Sequence, residues 1–305
     1  STPRYGNLTL YGPSFNGGVF ELLNTSNNYS WTLTGQLQRR FQDSWEANIG
    51  YTYSRAYDVQ SFTSSRAISN WRFGRVFSVD QTTDVATVSS FSRPHRVVAG
   101  VTYTLPWRSA PTDISLSYVG QAGQPYTLIA GGASGRGDLN ADGSNTNDPI
   151  YIPNDATTEV TFVNITDPAG NVTATPAQQA AALNDYIANE PCLAAQRGRI
   201  MTRNSCRQPW QNFLNLTVRQ TLPRFGGNTL TIELGIFNLP NLLNKEWGQI
   251  KTTGGIVFFD YGVLTARSFD PATQRHRFNF DPNQVQNRYI TTNATFNSYQ
   301  IQLSA

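Results

Sequence analysis

Between Asp138 and Asp148 an oxygen-bearing side chain recurs at every second position: Asp138, Asn140, Asp142, Ser144, Thr146 and Asp148, with Gly143 among them. In a calcium loop, oxygens at positions 1, 3, 5 and 7 surround a hard cation, and glycine at position 6 permits the sharp turn. Position 12 is Pro149, so the bidentate glutamate of an EF-hand is missing, and no flanking helices are evident. Two readings follow. One is a divergent extracellular calcium site with Asp138, Asn140, Asp142, Ser144 and Asp148 as ligands and Ca2+ as cofactor; the other is a plain Asx-rich turn.

Catalysis has little to stand on. His95 and His276 are the only histidines, too few for a zinc triad. His95, between Pro94 and Arg96 at the entrance of a strand, suits a structural hydrogen bond. Serines and carboxylates are plentiful but show no nucleophile elbow or paired-carboxylate context. The glycines from Gly131 to Gly137 lack the Lys-Ser/Thr of a phosphate loop. No catalytic residue and no enzymatic activity are expected. A net charge of +3, scattered along the chain, argues against a nucleic-acid surface.

The elements that would position such residues are long strands. Tyr29, Trp31, Leu33, Leu37 and Phe41 alternate with Ser30, Thr32, Thr34, Gln36, Gln38 and Arg40. Trp45, Ala47, Ile49, Tyr51 and Tyr53 alternate with Ser44, Glu46, Asn48, Thr52 and Ser54. Side chains in a strand point to opposite faces with period two, so each run demands one dry and one wet face. Ordinary strands end after about five or six residues, whereas these runs continue for about the 9 to 11 residues that a tilted bilayer crossing needs. The same alternation recurs near 95–106, 113–126, 211–222, 229–239 and 298–305. Mean hydropathy is -0.39, which fits strands that expose apolar residues only at alternate positions. No apolar run is long enough for a spanning helix. The 14 Tyr and 6 Trp, several at strand ends, suit the headgroup level of a membrane, or simply the preference of aromatics for strands.

Short links at Asp43, Arg108 and Gly226 alternate with long connectors at 58–93, 127–209 and 240–297, as periplasmic turns alternate with extracellular loops in outer-membrane barrels. Adjacent strands then set Phe41 opposite Trp45 on the lipid side. On the lumen side they set Arg40 opposite Glu46 and Arg219 opposite Glu233, pairs of modest benefit. The segments cross an odd number of times, while single-chain bacterial barrels have even numbers. The chain is therefore expected to be the C-terminal part of a larger barrel, with residues 1–27 an extracellular loop remnant and 28–305 the barrel portion. Ser1 to Gly6 show no signal-peptide pattern, so a leader is expected to have been removed, or the chain to begin partway through a longer polypeptide.

Several stretches together resemble a family. Ser92-Arg93-Pro94-His95-Arg96 opens a strand, and the run from Asp138 to Gly143 precedes Ile150-Tyr151-Ile152-Pro153. Further on come Asn204-Ser205-Cys206-Arg207, Phe237-Asn238-Leu239, and the run from Asn241 to Gly248. In this order they are similar to the C-terminal barrel of TonB-dependent outer-membrane receptors, most closely the subgroup with a carboxypeptidase-regulatory-like N-terminal domain. The resemblance spans roughly residues 20 to 305. It implies an all-β fold, about seven long strands of a 22-stranded transmembrane antiparallel barrel. It also implies a bacterial outer-membrane location, and uptake of a scarce nutrient ligand driven by the TonB complex through a plug. Partners would be outer-membrane lipid, the plug and N-terminal strands missing from this chain, and the TonB complex through that missing part. The chain departs from the pattern in carrying no plug and in stopping at Ala305, short of the usual terminal aromatic.

Cys192 and Cys206, the only cysteines, are close enough in sequence to pair in an oxidising envelope compartment. Pro176 to Asn189 should form a short helix before them. Two other functions stay open: a barrel that serves as a surface platform without transport, and a soluble extracellular β-sandwich that binds carbohydrate. A test of the whole reading is where Leu33, Ile49, Val101, Leu216 and Ile232 lie, because a dry closed core around them would exclude a membrane wall.

Overall fold

The computed structural model describes residues 24–42, 44–67, 69–70, 85–107, 110–131, 137–139, 147–223, 226–253, 260–286, 289–291 and 297–305. The expected turn residues Asp43 and Arg108, and residues 1–23 of the expected loop remnant, lie outside them.

The strands used below are β1 Tyr29–Phe41, β2 Trp45–Asp58, β3 His95–Leu105, β4 Thr112–Gln121, β5 Pro125–Gly131, β6 Gln211–Thr221, β7 Thr231–Phe237, β8 Asp260–Asp270, β9 Arg275–Asn279 and β10 Gln300–Ser304. The fold is predominantly β. Seven of these strands pair in the order β1-β2-β3-β4-β6-β7-β10, each antiparallel to its neighbour. All seven alternating runs thus fall in one sheet. The expected register holds, with Phe41 opposite Trp45, Arg40 opposite Glu46 and Arg219 opposite Glu233. In the β6–β7 link, Gly226 and Gly227 have φ of 61° and 84°, a left-handed pair that glycine adopts without steric cost. Among the described residues, β1 and β10 each pair on one side only, so the sheet is open.

The run expected to continue to 126 ends at Gln121. Gly123 sits so close to the Gln208 and Pro209 carbonyls that a side chain there would collide. Beyond this close approach β5 leaves the long sheet for a second one, ordered Cys206–Arg207, β5, β8, β9, Thr161–Phe162. Here β5 runs parallel to β8, and β9 parallel to Thr161–Phe162. The connectors 127–209 and 240–297 therefore supply a folded cap. No helix among the described residues is long and apolar enough to cross a membrane, which says nothing of strands.

Helix α1, Pro176–Ala188, packs on this cap. Its start is encoded locally: Thr175 Oγ1 accepts from Gln178 N at 3.3 Å, Gln178 Oε1 accepts from Thr175 N at 2.8 Å, and proline opens the first turn. Such a capping box satisfies two backbone donors at once. Ala180, Leu183 and Ile187 recur at helical spacing and are buried with Tyr126, Leu128, Ile152, Met201, Val263 and Phe280. Gln179 is fully buried among them, yet its amide nitrogen donates to Val163 O at 2.7 Å and its oxygen accepts from Phe280 N at 3.0 Å. A buried amide with both ends partnered costs little and fixes the helix against the sheet.

Candidate functional site

The long sheet has two chemically opposite faces. One row across all seven strands reads Phe41, Trp45, Tyr103, Ile114, Val218, Leu234 and Leu303. The next reads Arg39, Ala47, Val101, Leu116, Leu216, Ile236 and Ile301. Among the described residues this face is uncovered: Leu33 and Leu37 are each 68% exposed, Ile301 57% and Leu303 72%. None of the buried hydrophobic residues lies in the seven strands. Leu33, Ile49, Val101, Leu216 and Ile232 thus share no core.

Aromatic rings bound this apolar band. At one end Trp45 lies against Tyr103, ring centroids 4.4 Å apart. At the other, Tyr29 stacks on Tyr57 at 5.1 Å, Trp31 meets Tyr53 edge-on, and Tyr51 and Tyr53 flank His95. Several polar tips are occupied: Tyr51 Oη is 2.7 Å from His95 Nδ1, Tyr118 Oη donates to Asn212 Oδ1 at 2.7 Å, and Trp210 Nε1 donates to the same oxygen at 3.1 Å.

The opposite face is polar and cross-linked. Arg40 pairs with Glu46 at 3.0 Å and Arg219 with Glu233 at 2.7 Å. Hydroxyl contacts join Thr34 to Thr52 at 3.1 Å and Thr102 to Ser115 at 2.9 Å, and Thr104 Oγ1 donates to Asp113 Oδ1 at 2.7 Å.

The cap is fastened to the upper end of this sheet through the segment after α1. Cys192 and Cys206 form the expected disulfide, with Cα atoms 5.4 Å apart. In the chain-entropy view, a loop of about 15 residues closed this way gains about 3 kcal/mol. Arg203, 1% exposed, donates to the carbonyls of Asp58 at 3.1 Å and Val59 at 2.6 Å, to Ser61 Oγ at 2.9 Å, and to the Asp58 carboxylate. Asn204 donates to Val88 O at 2.7 Å, and Arg207 to Ser92 O at 3.0 Å. Arg93 donates to Ala122 O at 2.9 Å. Burial, with Arg207 beside it, lowers the Arg93 guanidinium to about 10, so it stays cationic at neutral pH. These guanidiniums bind carbonyls at strand ends and in the segments beside them, and so join three parts of the chain.

Below this junction the sheet splays. Between β6 and β7 the ladder stops at Leu216 opposite Ile236. Beyond it Asn238 turns into the left-handed region, φ 54°, and its N–H donates to the Asn215 side chain at 3.0 Å. The gap is a recess of about 410 Å3 on the polar face. Its lining combines apolar Val119, Phe213 and Phe237 with polar Arg96, Gln121, Asn215 and Gln300. Nothing in the periodicity of the sequence points to it, because it arises where a ladder ends.

Of the residues proposed for calcium, Asn140, Asp142 and Ser144 lie outside the described residues. Asp138 is half-buried, and Asp148 is buried with its carboxylate accepting from Leu139 N at 2.8 Å. No cluster of three or more His, Cys, Asp or Glu suited to a metal occurs among the described residues. His276 is far in sequence from His95 and packs between Phe269 and Phe278, where burial lowers its pKa. Comparison with models of protein families, with curated proteins and with solved structures returned no match.

Proposed function

We propose that this chain is the C-terminal part of the barrel of a bacterial outer-membrane TonB-dependent receptor, which takes up a scarce nutrient ligand. One observation carries the reading: seven paired strands, five of them ten or more residues long, present a continuous apolar face that is uncovered among the described residues and contribute no side chain to the buried hydrophobic core. In water so large an apolar patch would be a severe liability. In a bilayer it is the required surface. From Trp31 to Phe41 the strand runs about 33 Å at ~3.3 Å per residue, or about 25 Å along the normal at a ~40° tilt, the height of an outer-membrane apolar band between its aromatic girdles. The polar face, with its hydroxyl contacts and ion pairs, lines a hydrated interior. A β-sandwich would need a second sheet packed across the apolar face, and among the described residues none does so.

The open edges at β1 and β10 would leave backbone groups unpaired in hydrocarbon at several kcal/mol each. Further strands must therefore complete the wall, and a plug with its TonB-binding segment would occupy the lumen. The cap lies at the extracellular end and frames the pore mouth, a rigid support for ligand capture. Its own hydrophobic core and disulfide also favour a second reading, a surface platform for partner proteins.

Nitroxide labels placed singly from Trp31 to Arg40 in the receptor in lipid vesicles test the wall. Odd-numbered positions should be accessible to oxygen and shielded from a polar nickel relaxant, and even-numbered positions the reverse. A profile without period two removes the membrane assignment. Growth of a deletion strain on media limiting for iron chelates, cobalamin, peptides or oligosaccharides, one at a time, separates uptake from the platform, which predicts no defect on any.

A further inference from the structure

We infer that the recess beside Arg96 binds a small ligand in which a carboxylate is joined to an apolar ring. This rests on the reading of the polar face as a hydrated interior. The arginines on that face differ in their partners. Arg40 and Arg219 are each held by a glutamate on the neighbouring strand. Arg96 stands opposite Thr52 on one side and Gln121 on the other. It is exposed, and among the described residues its side chain makes no hydrogen bond or ion pair. Gln121 donates instead to Gln211 at 3.0 Å.

Among the described residues no Asp or Glu lines the recess. A guanidinium fork in the lining of such a site matches a carboxylate, which it can hold by two parallel charge-assisted hydrogen bonds. In the same lining, Val119, Phe213 and Phe237 offer apolar and aromatic surface to a ring. The Gln300 amide can accept or donate to a substituent. A volume of about 410 Å3 lies within the range of small-molecule sites, which are mostly apolar with a few placed polar groups. The splay at Leu216 is what makes room: had the β6–β7 ladder continued, a paired strand would fill the gap.

Calorimetric titration of the purified receptor in neutral detergent with benzoate and with benzamide tests this, because the two probes share a ring and differ in charge. Benzoate should bind about tenfold or more tightly than benzamide, the worth of a charge-assisted pair. Arg96→Gln should abolish that preference while leaving benzamide unchanged. Arg96→Lys, a conservative variant that keeps the charge, should retain part of it. Equal affinity of the two probes, no heat with either, or a preference that survives in Arg96→Gln would overturn the assignment. Should the nitroxide profile lack period two while benzoate is still preferred through Arg96, the envelope reading fails and the carboxylate site stands. The opposite pair of outcomes sinks only the site.

Discussion

The long sheet and the cap use the same apolar side chains in opposite ways. In the cap, Leu128, Ile152, Leu183, Met201, Val263 and Phe280 are buried against one another, as in a water-soluble domain. In the long sheet, Leu33, Leu37, Ile301 and Leu303 are uncovered. Burial of a large apolar side chain is worth about 1.5–3 kcal/mol, a stabilisation that the cap obtains and this face of the sheet forgoes. On the proposed reading the difference reflects two surroundings, a bilayer for one region and water for the other. The junction of Arg203, Asn204, Arg207 and the disulfide is where they meet.

Three substitutions, two of them paired with a control variant, can break or sharpen that contrast. Phe280→Ala removes a ring packed edge-on against Tyr186, centroids 5.6 Å apart, in a fully buried site. It should destabilise the cap by about 3–5 kcal/mol, as large-to-small changes in dry cores do. Limited proteolysis should then cut within 127–209 while the long strands stay protected. Equal sensitivity of both regions would show that they unfold as one.

A charge in the apolar band tests the other half. Leu37→Arg should cost about 2–4 kcal/mol near the bilayer midplane, read from urea-induced unfolding in lipid vesicles. Gln38→Arg, one residue along and on the polar face, should leave the midpoint almost unmoved. If both variants behave alike, or if Leu37→Arg stabilises the protein, the uncovered face is bathed in water.

The smallest effect lies at the start of α1. Thr175→Ala removes one half of the capping box and should cost about 1 kcal/mol, lowering the cap's melting temperature and leaving the long sheet untouched. Thr175→Ser, which keeps the hydroxyl, should restore it.

Much of the long sheet was legible in the residues. Period two identified all seven strands, and the short links fixed the pairing of Phe41 with Trp45, Arg40 with Glu46 and Arg219 with Glu233. The reason is locality, since a hairpin with a tight turn leaves little choice of register. The disulfide and α1 were legible for the same reason, one from two cysteines close in sequence and the other from a local cap. The end of β4 at Gln121 was not, because the close approach of Gly123 to Gln208 joins residues far apart in the chain. Nor was the cap sheet, where β5 finds β8 across a long separation. Short apolar runs such as Pro125–Gly131 carry no period that distinguishes strand from buried helix.

The sequence by itself determined the two-faced strands, their order and their hairpin registers, because alternation and turn chemistry act between neighbours. Only the tertiary structure decided that the long connectors fold into a cap with its own core, that Arg203 is buried against Asp58, and that Arg96 is left facing a recess without an acid. These depend on which distant segments meet, and the free energy of such meetings is written in shape and burial, which no local pattern of residues records.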